Sequence, residues 1–512
     1  MTERYYLTTA ISYPNGRPHM GHAYEAIATD ALARFHRLDG KQVFFLTGTD
    51  EHGLKISQAA RDAGQEPRDY VEGMAAHFQD MAARLDISHD RFVRTTEPGH
   101  YACAQDLWRR MEARGDIYLD KYEGWYSVRD EAYYDEKELV TGEDGEKLSP
   151  EGTPVVWTVE ESYFFRLSAY QDRLIELFET NPDFVQPASR RNEMMSFVKG
   201  GLRDLSISRT SFDWGVPVPD APKHVMYVWL DALSNYLSGI GYPDASYEDW
   251  WPCDVHVIGK DVVRFHAVYW PAFLLSAGVE LPKAVFGHGF VLWDGKKMSK
   301  SAGNVVDPLG LADKYGVDQL RYFLLREVPF GGDGSYSEAA IVTRANADLA
   351  NDLGNLAQRC LSMIAKNCGG VVPEPAAPTN ADKALDMEMS GLLSTVQKHM
   401  AAFQIHSALE AVWRMVGETN AYFAAREPWA LKTSDPEQMG SVLYRTADTV
   451  RQLAILAQPA IPNGAAKLLD LLAVDETDRD FAALGKKMQP GTELPAPAGV
   501  FPRLEMPEEV TA

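Results

Sequence analysis

The sequence predicts an α/β protein: a parallel sheet covered by helices, interrupted by a β-rich insertion and followed by a long helical body. Three observations carry this. The first 60 residues read strand, helix, strand. Short apolar strand runs return at Val255–Ile258 and Ala284–Phe286, on either side of an apolar helical stretch over 262–277. From Thr343 to Leu472 the apolar residues recur almost wholly at helical spacing.

The elements follow in order. Tyr5–Ile11 is rich in β-branched and aromatic residues and runs into Ser12-Tyr13-Pro14-Asn15-Gly16-Arg17-Pro18, a cluster of turn formers. From His19 to Leu38, Ala23, Ile27, Ala31, Leu32, Phe35 and Leu38 keep helical spacing, and Gly40 stops the helix. Val43–Leu46 is a short continuous apolar strand. A βαβ unit implies parallel strands and a right-handed crossover. Ligands of such sheets bind beyond the carboxyl ends of the strands, which points to Ile11–His22 and Thr47–His52. The pattern changes near Gly115. From there to about Pro222 come short aromatic strands (Trp125–Val128, Glu131–Tyr134), a Gly- and acid-rich turn at Thr141–Lys147 and a β-rich stretch at Val155–Glu160. This reads as an inserted domain. Gly369–Thr379 is a loop within the helical part, and the proline-bearing tail from Asp475 is a wrap-around segment.

Composition bounds the function. The 512 residues suit several domains with ample core, and 45% hydrophobic with 24% charged residues is a globular balance. A net charge of -23 repels nucleic acid in bulk, so a sequence-blind coating protein is disfavoured while a local basic groove remains open. Cys103, Cys253, Cys360 and Cys368 stand far apart without a CxxC pair, which excludes a four-cysteine zinc knuckle. Free thiols and an N-terminus without a signal peptide lead us to expect a cytoplasmic protein. Phe265–Val279 is shorter than the roughly 18 residues of a membrane span and reads as a core helix.

Two motifs carry chemistry. His19-Met20-Gly21-His22 occupies the first turn of the first helix, where unpaired N–H groups and the helix dipole attract phosphate. Gly21 leaves room for a flat ligand, and histidines three apart share a face. Alone, the pair is equally compatible with metal ligands or surface residues. Lys296-Lys297-Met298-Ser299-Lys300-Ser301 is a strongly cationic loop suited to a triphosphate whose charge grows at the leaving pyrophosphate. Alone, it is also compatible with a solvated basic loop. There is no GxxxxGK[ST] and no GxGxxG at the first strand–helix junction.

Together, HMGH at that junction and KMSKS about 280 residues later resemble the class I aminoacyl-tRNA synthetases. Ala10-Ile11-Ser12-Tyr13-Pro14-Asn15-Gly16, Gly48-Thr49-Asp50-Glu51-His52-Gly53, Tyr227-Val228-Trp229-Leu230-Asp231-Ala232 and Gly259-Lys260-Asp261-Val262-Val263-Arg264-Phe265-His266 narrow the likeness to the methionyl-tRNA synthetases, from Tyr5 to Glu505. The resemblance implies a Rossmann-like catalytic domain in two halves, 1–114 and 223–290, a connective insertion at 115–222, a KMSKS-bearing stem-contact segment at 291–345 and a helical anticodon-binding domain with tail at 346–512.

It also implies the site. His19, His22, Lys297 and Lys300 become the catalytic residues. ATP falls to Tyr13, Pro14, Asn15, His19, Gly21, His22, Gly259, Asp261, His288, Lys297, Met298, Ser299 and Lys300, with Mg²⁺ accompanying it. Methionine falls to Ile11, Tyr13, Asp50, Trp229, Ala232, Leu233, Tyr236, Val262 and His266. A carboxylate such as Asp50 suits an ammonium, and a thioether gains about 0.3–1.5 kcal/mol against aromatic rings. Asn355, Arg359 and Trp429 become anticodon contacts, a set able to bond and stack an unpaired base. From the residues alone, Asp50 could equally be a turn cap, Ala232, Leu233 and Val262 ordinary core, and Trp429 a packing residue.

Two departures stand out. The region 115–222 has no cysteine, so the likeness is to the zinc-free branch and no structural zinc is expected. The chain stops soon after Glu505 without an appended dimerising module, which favours a monomer. The expected reaction activates methionine with ATP and transfers it to the terminal ribose of tRNA(Met), initiator and elongator. Enzymes for leucine, isoleucine or valine would need a hydrolytic insertion larger than the 110 residues of 113–222. A cysteine enzyme would need zinc ligands that are missing. A catalytically silent relative has no need of HMGH, KMSKS and Asp50, and small nucleotidylyltransferases lack the helical half.

Overall fold

The alternation of side chains along the first strand decides the layering. The computed structural model describes residues 2–127, 129, 132–142, 144–293, 295–298 and 306–506. In β1 (Arg4–Thr9) Tyr6 enters one hydrophobic core and Leu7 the other. In β2 (Gln42–Thr49) Phe45 and Leu46 divide the same way. A strand buried on both faces needs such a continuous apolar run. With β3 (Arg91–Arg94), β4 (Val185–Gln186), β5 (Val255–Gly259) and β6 (Val285–His288) these strands form a six-stranded sheet in the order β3-β2-β1-β5-β6-β4. Every pairing in it is parallel, with Leu7 opposite Val255 and Phe45. Chain order reverses between β1 and β5, which opens a crevice at their carboxyl ends.

Helix α1 (Met20–Leu38) crosses from β1 to β2, with Arg37 in its last turn complementing the dipole. Gly40 follows the helix with φ of +84°, a conformation that favours glycine, and so ends it as expected. The strand expected at Val43–Leu46 runs on through Thr47, Gly48 and Thr49, whose backbone pairs with β3. A Cβ on Gly48 would stand 2.0 Å from the Val93 carbonyl oxygen, so only glycine permits that approach. The first strand ends at Thr9 rather than Ile11, because the chain turns there into the crevice.

The insertion is built on a long antiparallel ribbon of Ile117–Ser127 with Val156–Phe165, Trp125 opposite Trp157. Both strands begin or end nearer the main sheet than the sequence predicts, because Ile117 and Phe165 root the ribbon in the core. The short strand Ala132–Tyr134 extends it, while Val128 and Glu131 lie outside the described residues. The segment 115–222 is not wholly separate: β4, within it, forms the edge of the main sheet beside β6. Two residues are too few to register as a strand in sequence. Their pairing is supplied by β6, and Val285 N donates to the Phe184 carbonyl at 2.7 Å.

Beyond the sheet come α2 (Leu54–Asp62), α3 (Val228–Leu233) and α4 (Trp270–Ala277), the last preceded by a π-helical turn at Phe265–Tyr269. The helical body includes α5 (Val317–Glu327), α6 (Asn355–Asn367), α7 (Ile405–Arg426), α8 (Pro428–Ser434) and α9 (Pro436–Ala457). One core runs unbroken from the α1 face of the sheet through α5 into this body. Its hub is the fully buried Arg321, which donates to Asp30 Oδ2 at 2.6 Å and to the Pro459 and Leu85 carbonyls, each at 3.0 Å. The tail wraps back as expected, with Val372 N donating to Thr492 O at 2.9 Å and Tyr444 Oη to Met488 O at 2.9 Å. Among the described residues no helix is long and apolar enough to cross a membrane.

Candidate active site

The crevice is closed by its own loops. Ser12 N donates to Gly48 O and Asp50 N to Ser12 O, both at 2.9 Å, so the loop after β1 is stitched to the end of β2. This brings Ile11, Tyr13 and Asp50 to one wall. A cavity of about 470 Å³ opens there. Ile11, Tyr13, Asp50, Trp229, Ala232, Leu233, Tyr236, Val262 and His266 all line it, as do His19, Gly21, His22, Gly259, Asp261, His288 and Met298. Pro14 is buried and Asn15 exposed, and neither is in the wall. Asn15 N donates to Tyr13 O at 2.9 Å, a tight turn that carries the chain away. The backbone of Lys297 pairs with Leu292 in a short hairpin, but its side chain, and Ser299 and Lys300 entirely, lie outside the described residues.

The HMGH residues are bonded to one another. His19 is the N-cap of α1. Gly21 N donates to His19 Nδ1 and His19 N donates to His22 Nδ1, both at 3.1 Å. An Nδ1 that accepts leaves the ring proton on Nε2, so both imidazoles become neutral Nε2 donors. Their rings stack at 3.8 Å, and a Cβ on Gly21 would crowd the His19 ring at 3.0 Å. Asp261 folds back over Gly259, where a Cβ would meet its carboxylate at 2.7 Å.

The apolar end is aromatic. Trp229 stacks on Phe265 at 3.7 Å and 5°. His266 Nδ1 lies 2.9 Å from Val262 O, and its Nε2 lies 2.6 Å from Tyr236 Oη. The carbonyl can only accept, so Nδ1 carries the proton and the tyrosine hydroxyl donates to Nε2. Burial drives the His266 pKa down to about 4, so the ring is neutral near pH 7 and its tautomer is set.

Several site residues lie beyond the sequence reading. Glu25 lines the cavity with its Oε2 2.9 Å from His288 Nε2. Burial raises the Glu25 pKa; at His288 burial pulls the other way, but Glu25 together with the Gly289 carbonyl and Asp261 raises that one as well. Glu25 is three residues after His22, so helical spacing could have flagged it. Behind the wall, the buried Asp231 accepts from His52 Nδ1 at 2.8 Å and His100 Nε2 at 2.7 Å. Burial alone would raise its pKa, but the two histidines hold it at about 2. This carboxylate ties the loop carrying Asp50 to the helix carrying Trp229. Among the described residues no group of three or more His, Cys, Asp or Glu side chains could hold a metal ion.

In the helical body, Arg359 donates to Asn420 Oδ1 at 2.8 Å and lies over the Phe423 ring at 5.2 Å. Trp429, half exposed, approaches the same ring at 6.0 Å, and Asn355 is exposed one turn before Arg359. Asn420 and Phe423 gave no sequence signal because their role is to hold Arg359 and Trp429 in place.

Comparison with known proteins agrees over the whole length. Residues 5–361 match the family "tRNA synthetases class I (M)", and residues 372–510 match the "Anticodon binding domain of methionyl tRNA ligase". The methionine–tRNA ligases of Mesorhizobium japonicum and Brucella suis are 62% and 60% identical, each alignment covering 98% of both chains. The structure of Mycobacterium tuberculosis methionyl-tRNA synthetase in complex with methionyl-adenylate superposes with a TM-score of 0.96 at 58% identity, over 98% of this chain and 100% of that one. The free form of the same enzyme gives 0.89 at 55% identity over 99% of both. With catalytic and anticodon-binding parts both matched, the chain belongs to the methionyl branch of the class I tRNA synthetases.

Proposed function

We propose how this cavity carries out the methionine–tRNA ligation of its family. The observation that carries the reading is that His19, His22 and Met298 of the KMSKS loop line one cavity with Asp50 and the Trp229–His266 wall. Asp50 takes the ammonium of methionine, and Ile11, Tyr13, Trp229, Ala232, Leu233, Tyr236, Val262 and His266 surround its side chain. The Tyr236–His266 bond fixes a neutral imidazole there, so no charge is buried against the thioether. MgATP enters as substrate, with Asp261 and Gly259 at its ribose, His288 beside them, and His19 and His22 donating from Nε2 to phosphate oxygens.

The methionine carboxylate is already ionised and needs no general base. It attacks the α-phosphorus in line, a C–O–P linkage forms, and the bond to pyrophosphate breaks. Lys297 and Lys300 neutralise the charge that gathers on pyrophosphate. A terminal ribose hydroxyl of tRNA(Met) then attacks the acyl carbon and AMP leaves. Asn355, Arg359 and Trp429 read the anticodon. In this reading 1–114 and 223–290 with β4 form the catalytic fold, 115–222 the rest of the insertion, 291–345 the stem contact and 346–512 the reader. The reading includes a monomer in the cytoplasm, checked by light scattering and fractionation. Purified protein should exchange pyrophosphate into ATP with methionine and with no other amino acid, and absence of methionine-dependent exchange overturns the reading.

A further inference from the structure

Methionine is a zwitterion, and only one of its two charges has a partner above. Its ammonium and carboxylate share one carbon, so their partners must lie on neighbouring walls. Asp50 supplies the anion. Among the described residues, two ordinary cations line the cavity, Lys55 and Arg129. Arg129 comes from the insertion and is exposed. Lys55 stands in the first turn of α2, five residues after Asp50 across the same corner. Its Nζ lies 5.4 Å from the centre of the Tyr13 ring, which lines the same cavity. The backbone bonds of Ser12 to Gly48 and Asp50 fix this corner against Tyr13.

We propose that Lys55 binds the α-carboxylate of methionine opposite Asp50, making the corner 50–55 a clamp for both charges. The inference rests on the assignment of the ammonium to Asp50. A cation on the carboxylate stabilises the bound amino acid but also weakens it as a nucleophile. When the carboxylate oxygen bonds to phosphorus its charge passes towards pyrophosphate, and the hold of Lys55 relaxes. Lys55 therefore acts on ground-state binding, and its loss falls on KM for methionine more than on kcat.

The test uses the full chain, ATP–pyrophosphate exchange and two truncated ligands as competitive inhibitors. One is 3-(methylthio)propylamine, which lacks the carboxylate, and the other is 4-(methylthio)butanoate, which lacks the ammonium. Lys55→Met should raise KM for methionine roughly 10–100-fold, the range of a lost charge-assisted hydrogen bond. The inhibition constant of the butanoate should rise in step, and that of the amine should stay within about twofold. Lys55→Arg, which keeps the charge, should recover most of the loss. Equal weakening of the amine and methionine, or a methionine KM within about twofold of the parent, overturns the proposal. Asp50→Asn separates the two assignments. If it weakens the butanoate as much as methionine, the ammonium assignment fails, whatever Lys55 does.

Discussion

Replacing Asp231 tests whether the wall of the cavity is held from behind. The side chain is fully buried and accepts from His52 at 2.8 Å and His100 at 2.7 Å. Asp231→Ala leaves two buried N–H donors without an acceptor, each worth about 1–3 kcal/mol. Removing one member of a buried ionic network costs about 3–5 kcal/mol, and the two figures agree. Asp231→Asn keeps the shape but turns an N–H towards one histidine donor, so it should cost about 1–3 kcal/mol. The loss is local to α3 and the loop at 50–53, so it should be read by hydrogen exchange over 228–238. At about 1.4 kcal/mol per tenfold, Asp231→Ala should reduce protection there on the order of 100-fold. Methionine KM should rise at least about tenfold, because Trp229 and Asp50 lose their common anchor. Protection within about threefold of the parent together with an unaltered methionine KM would refute the reasoning.

Other consequences can be checked alongside. His266 titrates at about 4 in the folded chain against 6.5 ordinarily, so the unfolded chain binds the extra proton between those values. Stability from this group is full above 6.5 and falls by about 3 kcal/mol as pH drops to 4, and His266→Gln should flatten that part of a pH–denaturation curve. An unchanged slope counts against it. Trp429→Ala should spare pyrophosphate exchange and raise KM for tRNA roughly 10–100-fold, as loss of one stacked base implies, and a matching loss of exchange contradicts separate reading and reacting ends. Lys300→Ala should cut adenylate formation far more than methionine binding, measured by single-turnover kinetics, and equal losses would remove its assigned role. Gly48→Ala puts a Cβ 2.0 Å from the Val93 carbonyl and should prevent soluble expression, so a well-folded variant would mean that β2 and β3 can part.

The sequence is legible where one element speaks for itself. The βαβ start, the helical half and the wrap-around tail follow from spacing and turn residues. HMGH and Asp50 are legible because one opens the helix that follows the first strand and the other directly follows the second, beyond the carboxyl ends of the sheet where ligands collect. What escapes is what distant partners create. Thr47 and Thr49 are polar and look unlike a buried strand, yet Thr9 and Glu51 satisfy their hydroxyls at 2.7 Å. The edge strand at Val185–Gln186 exists only because β6 offers its backbone. Asp231 and His52 belong to recognisable motifs, but their bond spans 179 positions and no local pattern announces it. Glu25 follows from helical spacing, three residues after His22 on α1.

The guanidinium of Arg321 has a consequence for anyone who would divide this molecule. It is bonded to α1 through Asp30 and to the turn after α9 through Pro459, so the helix whose tip lines the cavity is tied at mid-length, through this one side chain, to the helical body. A cut near residue 345 would leave Arg321 and Asp30 together on one fragment, with their cover removed, and orphan the Pro459 and Ala460 carbonyls on the other. Exchanging the reader for that of a cousin would succeed only when the seam travels with it.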